Sequence, residues 1–185
     1  MTARKLFLLG FAAALVAALG CSNTDDGGTP SPALACSDGG AAGVNAVNLS
    51  CGGATDSTTE QVNVVMGGPA AGSTALRGLN FDVTYDATKI DFVPAASNTS
   101  ALFPNALVAV TLFNGLPGRV VVSIQQVGGD PDVSVAPGQH VVLSLSFRRA
   151  AGTTFGPRPL ALENAEATGA STAIGFSSVL ALSYQ

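Results

Sequence analysis

The chain has 185 residues and a formal net charge of −4, with 11% charged residues, 47% hydrophobic ones and no Trp. That length fits one domain plus an appendage better than two full domains. Beyond residue 20 lie all 12 acids and six of the eight cations, a net charge of −6, and the adjacent cations there are Arg148 and Arg149 alone. Such a sparse, acidic surface excludes nucleic acid, whose phosphates require clustered Lys and Arg. One His and three Cys leave most metal and nucleophile chemistries short of parts, so the composition points to a binding or structural module rather than an enzyme, and no cofactor is implied.

Residues 1–20 read as a secretory leader. Arg4 and Lys5 supply a positive start, and Leu6–Leu19 is an apolar run of fourteen residues. This is short of the roughly 20 residues that a membrane-spanning helix needs. The Ala18-Leu19-Gly20-Cys21 stretch resembles the lipobox of bacterial lipoproteins, with Leu two residues before the Cys where three is usual. The resemblance implies diacylated Cys21 as the new N-terminus. Ser22 after it implies a lipoprotein of the bacterial outer membrane, facing the cell surface or the periplasm. Residues 21–35 then form the attachment Cys and a tether. Ser22–Pro32 contains no apolar residue that would offset its ordering entropy. Setting Cys21 aside leaves Cys36 and Cys51, an even pair for an oxidising compartment. A disulfide between them closes a loop of about 15 residues and pins the start of the domain, residues 36–185. A metal pair would lack a further Cys or a nearby His.

From about Val44 onward the pattern has period two, broken by Gly, Pro, Asn and Asp. Ala46–Ser50, Val62–Met66, Leu79–Asp86, Ile90–Val93, Leu107–Phe113, Val120–Gln125, Val141–Arg148, Leu160–Ala167 and Ser178–Tyr184 read as nine strands. Asp86-Ala87-Thr88-Lys89 suits a tight turn, with the Asp carboxylate bonding backbone N–H groups two residues on. Nine short strands and no helical periodicity predict an all-β, antiparallel sandwich.

The stretch GLNFDVTYDATKIDFVP, Gly78–Pro94, resembles the third and fourth strands of cohesin domains. In those strands an alternating segment ends in Tyr-Asp, turns, and returns as an apolar-acidic-apolar strand. Gly138–Phe147 resembles the cohesin pattern in which a Gly-containing turn leads into a strand ending in Phe. The likeness spans roughly residues 44–185. It implies a nine-stranded jelly roll related to some carbohydrate-binding modules, a non-catalytic protein-binding activity, and dockerin or a dockerin-like protein as the partner. Two polar positions, often Asn and Asp in cohesins, align with Gly78 and Asn80, and Gly78 supplies no side chain there.

In the strand Leu79–Asp86 the apolar set Leu79, Phe81, Val83 and Tyr85 is expected in the core. Asn80, Asp82 and Thr84 are then expected outward, joined on the same face by Val121, Ser123 and Gln125 if the cohesin-like strand order holds. That flat face is the candidate partner-binding surface; the plain alternative is an ordinary solvated sheet face. Other chemistry is sparse. His140 is placed at a strand start, without a nucleophile elbow near any Ser. Asp130 and Asp132 offer oxygens for Ca²⁺ but match no EF-hand loop, so a solvated acidic loop is expected and no metal is assigned. Asp82, Asp86 and Asp91 do not make a convincing glycosidase pair. Binding of polysaccharide is the second reading, resting on Phe103, Phe113, Phe155 and Phe176 as aromatics of unassigned exposure. A structural envelope lipoprotein is the third.

Overall fold

Strict alternation in the sequence around Phe81 becomes a sheet with one apolar and one polar face. The computed structural model describes residues 34–37, 41–56, 58–95, 98–113, 115–150, 158–177 and 180–184. The leader, Cys21, the tether expected over Ser22–Pro32, and Phe155 lie outside the described residues. No helix among the described residues is long and apolar enough to cross a membrane.

The described residues form thirteen strands: β1 (Leu34–Ser37), β2 (Ala46–Ala54), β3 (Thr59–Gly67), β4 (Thr74–Leu76), β5 (Gly78–Thr84), β6 (Ile90–Val93), β7 (Ala106–Leu112), β8 (Arg119–Gln126), β9 (Val133–Val135), β10 (Gln139–Arg149), β11 (Arg158–Thr168), β12 (Gly175–Phe176) and β13 (Leu180–Tyr184). The count exceeds the nine expected. The additional strands β1, β4, β9 and β12 have two to four residues each, too few for an alternation to be visible in the sequence. β1 takes in Leu34 and Ala35, residues that the sequence places in the tether.

One sheet has six strands in the order β1-β13-β11-β5-β8-β7, and the other has five, β12-β2-β3-β10-β6. β4 and β9 pair separately. All pairings are antiparallel except β12 with β2. Between the two sheets lies a single apolar core. Leu79, Phe81 and Val83 of β5 and Val120, Val122 and Ile124 of β8 enter it from one side; Val62, Val64, Leu145 and Phe147 enter from the other. Phe147 is the hub, with Tyr85 and Phe92 edge-on at 5.4 and 5.7 Å between centroids. Such edge-to-face pairs add about 0.5–1.5 kcal/mol to what the buried area supplies.

Two local features depart from simple alternation. A bulge in β10 between Val141 and Leu143 shifts its register on β3. Val141, two residues before the buried Leu143 in a strand of simple alternation, is therefore 40% exposed, and Val142 is buried instead. The Cys36–Cys51 disulfide is formed, with a Cα–Cα distance of 5.7 Å. It ties β1 of the six-stranded sheet to β2 of the five-stranded one, so it staples the two layers as well as the domain start. The tight turn after β5 is also as expected: Asp86 Oδ1 accepts from the Thr88 N–H at 3.0 Å and the Thr88 hydroxyl at 2.6 Å.

Candidate functional site

The candidate surface on the outer face of the six-stranded sheet is built on the neighbouring strands β5 and β8. Their register sets Gly78 opposite Gln125, Asn80 opposite Ser123, Asp82 opposite Val121 and Thr84 opposite Arg119. Directly opposed residues of an antiparallel pair share a face. Asn80, Asp82, Thr84, Val121, Ser123 and Gln125 thus lie together on the outer side, and their strand partners Leu79, Phe81, Val83, Val120, Val122 and Ile124 are all buried.

This face is tied down by its own hydrogen bonds. The Ser123 hydroxyl donates to Asn80 Oδ1 at 2.7 Å, and the Thr168 hydroxyl donates to Gln125 Oε1 at 3.3 Å. Arg119 donates from Nη1 to Asp82 Oδ2 at 2.6 Å and from Nη2 to Glu163 Oε2 at 2.8 Å. The Asn164 amide also donates to Asp82 Oδ2, at 2.6 Å, and the Thr84 hydroxyl reaches Glu163 Oε1 at 3.4 Å. Asp82 is consequently only 8% exposed. It does not project freely outward as its alternation implies, because the Arg119 and Asn164 side chains cover it.

Arg119, Glu163, Asn164 and Glu166 were not singled out from the sequence. Arg119 had a usable signal, since it continues the outward series Arg119, Val121, Ser123, Gln125 by one step of two. The β11 residues had none, because a bulge between Glu163 and Glu166 breaks the period there, with Asn164 at a φ of +48°. Asn tolerates that left-handed conformation better than most residues. Glu163 stands opposite Asp82 and Glu166 opposite Asn80, and the Arg119 guanidinium is held between two carboxylates, those of Asp82 and Glu163. On the far side, β7 places Leu107 opposite Gln125, Ala109 opposite Ser123 and Thr111 opposite Val121, with Leu107 71% exposed.

Gly78 sits at one end of this face, where the backbone of β8 approaches it closely. A Cβ built there would lie 2.4 Å from the Ile124 carbonyl oxygen and 2.7 Å from Cδ of Gln125. The glycine is a packing requirement of this sheet, and the Gln125 amide occupies the space a side chain would have used.

The remaining candidates are engaged elsewhere. Asp132 pairs with Arg77 at 3.0 Å, and the same Arg77 Nη1 reaches the carbonyl of Asp130 at 3.3 Å. Asp91 lies 3.7 Å from Arg148 at the surface. His140 Nε2 is 2.8 Å from the Ala136 carbonyl oxygen. No group of three or more metal-ligating side chains occurs among the described residues. Of the aromatics with unassigned exposure, Phe103 is buried, Phe176 is partly buried against the core, and Phe113 is 50% exposed.

No protein-family model and no curated protein matches the chain. Solved structures do. One is CaCohA2 of Clostridium acetobutylicum in complex with a variant of CaDoc0917, at 18% identity and a TM-score of 0.51, covering 75% of this chain and 98% of that one. Another is the sixth cohesin of scaffoldin B of Acetivibrio cellulolyticus in complex with a mutant Cel5 dockerin, at 14% identity and 0.51, covering 71% and 94%. The third cohesin of ScaC from the same organism, in complex with the ScaB dockerin, matches at 11% identity and 0.51, covering 72% and 94%. The fold is therefore a cohesin-like antiparallel β-sandwich.

Proposed function

We propose that the protein is a non-catalytic, membrane-anchored binding module that presents the outer face of β11, β5, β8 and β7 to a protein partner. The observation that carries this reading is the face itself. Asn80, Asp82, Thr84, Val121, Ser123 and Gln125 lie on one side of two paired strands, and their polar side chains are held by hydrogen bonds to each other or to Arg119, Glu163, Asn164 and Thr168. Side chains already ordered lose little entropy when a partner covers them. A sheet face is also suited to a protein surface and unsuited to enclosing a small molecule.

The cohesin-like structures in complexes with dockerins make a dockerin, or a protein of similar shape, the first partner to test. Gly78 removes one polar side chain from this face, so the partner's own contacts must differ there. Anchoring rests on the leader and on Cys21, whose acylation would place the domain at the outer membrane, on the cell surface or the periplasmic side.

A binding screen tests the reading. The purified domain is titrated against a panel of dockerins and against cellulose, xylan and chitin. Saturable binding to a dockerin with no retention on polysaccharide supports the proposal. Polysaccharide retention alone supports the carbohydrate-binding alternative, and binding to neither leaves the structural lipoprotein. For the anchor, Cys21→Ser is expected to move the protein from the membrane fraction to the soluble one.

A further inference from the structure

Strand register brings the first described strand and an exposed apolar turn to the same end of the sandwich. Leu34 of β1 pairs with Tyr184 of β13, and Leu182 of β13 pairs with Arg158 at the start of β11. Along β11, Ala161 pairs with Thr84 at the end of β5, and Thr84 pairs with Arg119 at the start of β8. Leu112, the last residue of β7, pairs with Val120. The chain therefore enters the domain at the end where β7 turns into β8.

At that turn Leu112, Phe113 and Leu116 are 39%, 50% and 51% exposed. With Tyr85, Ala87 and Pro117 they border a depression of about 270 Å³. The described residues of the turn are fixed by backbone hydrogen bonds. The Phe113 N–H donates to the Arg119 carbonyl at 3.1 Å, and the Leu116 N–H donates to that of Phe113 at 3.0 Å. Gly118 closes it at a φ of +84°, with its carbonyl accepting from the Tyr85 N–H at 2.8 Å. Three large apolar side chains this close together are an exposed patch that calls for a partner.

We infer that the Leu112–Phe113–Leu116 tip rests on the lipid bilayer that holds the N-terminus. The inference relies on the proposed anchor at Cys21. Thirteen residues, 21–33, lie between the acylated position and Leu34, and their covalent geometry allows a separation of at most about 45 Å. β1 and β7 are the two edges of a six-stranded sheet, about 24 Å apart at the usual strand spacing. A membrane that touches the tip is thus within reach of the tether. The tether also holds the tip at an effective concentration on the order of millimolar, so a contact too weak for the free domain becomes populated. Since the chain beyond residue 20 is net acidic, the contact is apolar rather than electrostatic and does not need anionic lipid. In this pose the strands stand upright on the membrane, and the face of Asn80 and Ser123 opens sideways to a partner.

The absence of Trp from the chain makes the test direct. Phe113→Trp places the sole indole at the tip, and Val127→Trp places one just past the C-terminal end of β8, at the opposite end of the sandwich. Each lipidated full-length variant is reconstituted into phosphatidylcholine vesicles with and without brominated acyl chains. The inference expects F113W emission to shift to the blue and fall about twofold in brominated vesicles, as for a side chain at the headgroup–acyl boundary, with V127W unchanged. High salt should leave the difference intact, and Leu112→Ser with Leu116→Ser in the F113W background should abolish it. Equal emission from both variants in the two kinds of vesicle overturns the inference. Should residue 21 carry no lipid, the same variants are bound to nickel-chelating lipid through a polyhistidine tag in place of residues 1–21. Failure of membrane fractionation then counts against the anchor, and unquenched F113W counts against the tip.

Discussion

Replacing Arg119 by Met is the sharpest probe of how the candidate face is held together. The guanidinium makes two ion pairs of different value. The pair with Glu163 has a carboxylate that is 46% exposed and contributes no more than about 1 kcal/mol. The pair with Asp82 is sheltered, with 11% of the carboxylate side chain and 23% of the Arg side chain exposed. A hydrogen bond to a charged group of this kind contributes about 1.5–3 kcal/mol. Once Arg119 is gone, the Asn164 amide is the remaining side-chain donor shown to Asp82 Oδ2. Arg119→Met should therefore lower stability by about 2–4 kcal/mol, and Glu163→Gln by less than about 1. Urea unfolding monitored by circular dichroism reads the difference as a shift of midpoint at constant slope. Combining Arg119→Met with Asp82→Asn should cost less than the two changes added, because the second removes the charge that the first strands. If Arg119→Met stays within about 0.5 kcal/mol of the parent, as an ordinary surface change would, Asp82 is solvated and the face is not preorganised.

Three further outcomes follow from the packing. Replacing both Cys36 and Cys51 by Ser should cost about 3 kcal/mol from loop closure alone, read by the same urea titration, and reduction of the parent should reproduce it. Glu60 is 4% exposed, and burial pushes its carboxyl above the ordinary 4.5, opposed in part by a hydrogen bond from the Gly53 backbone. The ionised form thus costs stability at neutral pH, and that cost disappears as the pH falls through the raised value. Glu60→Gln should be more stable than the parent at pH 7, and the gain should vanish by about pH 4.5 in a series of melts. Gly78→Ala forces a methyl onto the Ile124 carbonyl and should destabilise by about 1–3 kcal/mol; an unchanged melting midpoint would mean that β5 and β8 can part there freely.

Much of this architecture can be read from the residues because long strands repeat a simple rule. Leu79, Phe81 and Val83 alternate with Asn80, Asp82 and Thr84, and no other register buries the apolar set. The six face residues follow from the same rule once β5 and β8 are neighbours, which the cohesin resemblance supplied. What could not be read depends on contacts distant in sequence. The burial of Asp82 is caused by Arg119, 37 residues on, and by Asn164, 82 residues on. Val141 is turned outward by a bulge that inserts one residue, which no local pattern announces. Strands such as β4 and β12 exist because a neighbour offers an edge: Thr74 and Leu76 pair with β9, and Phe176 with Val47 of β2.

The central claim is that a protein partner docks on the outer face of β5 and β8. Asn80 and Ser123 are opposed there, half-buried, and bonded to each other at 2.7 Å, so both side chains sit at the middle of the face. The most direct test is the affinity of the Asn80→Arg, Ser123→Arg double variant for the dockerin selected by the binding screen, measured by calorimetry beside the parent. Two bulky cations in a packed interface should cost several kcal/mol, a loss of affinity of about 100-fold or more, while circular dichroism and the melting midpoint stay near the parent's. Undiminished binding by the folded double variant would contradict the claim and move the site elsewhere, with the Gly128–Val135 loop as the next place to look.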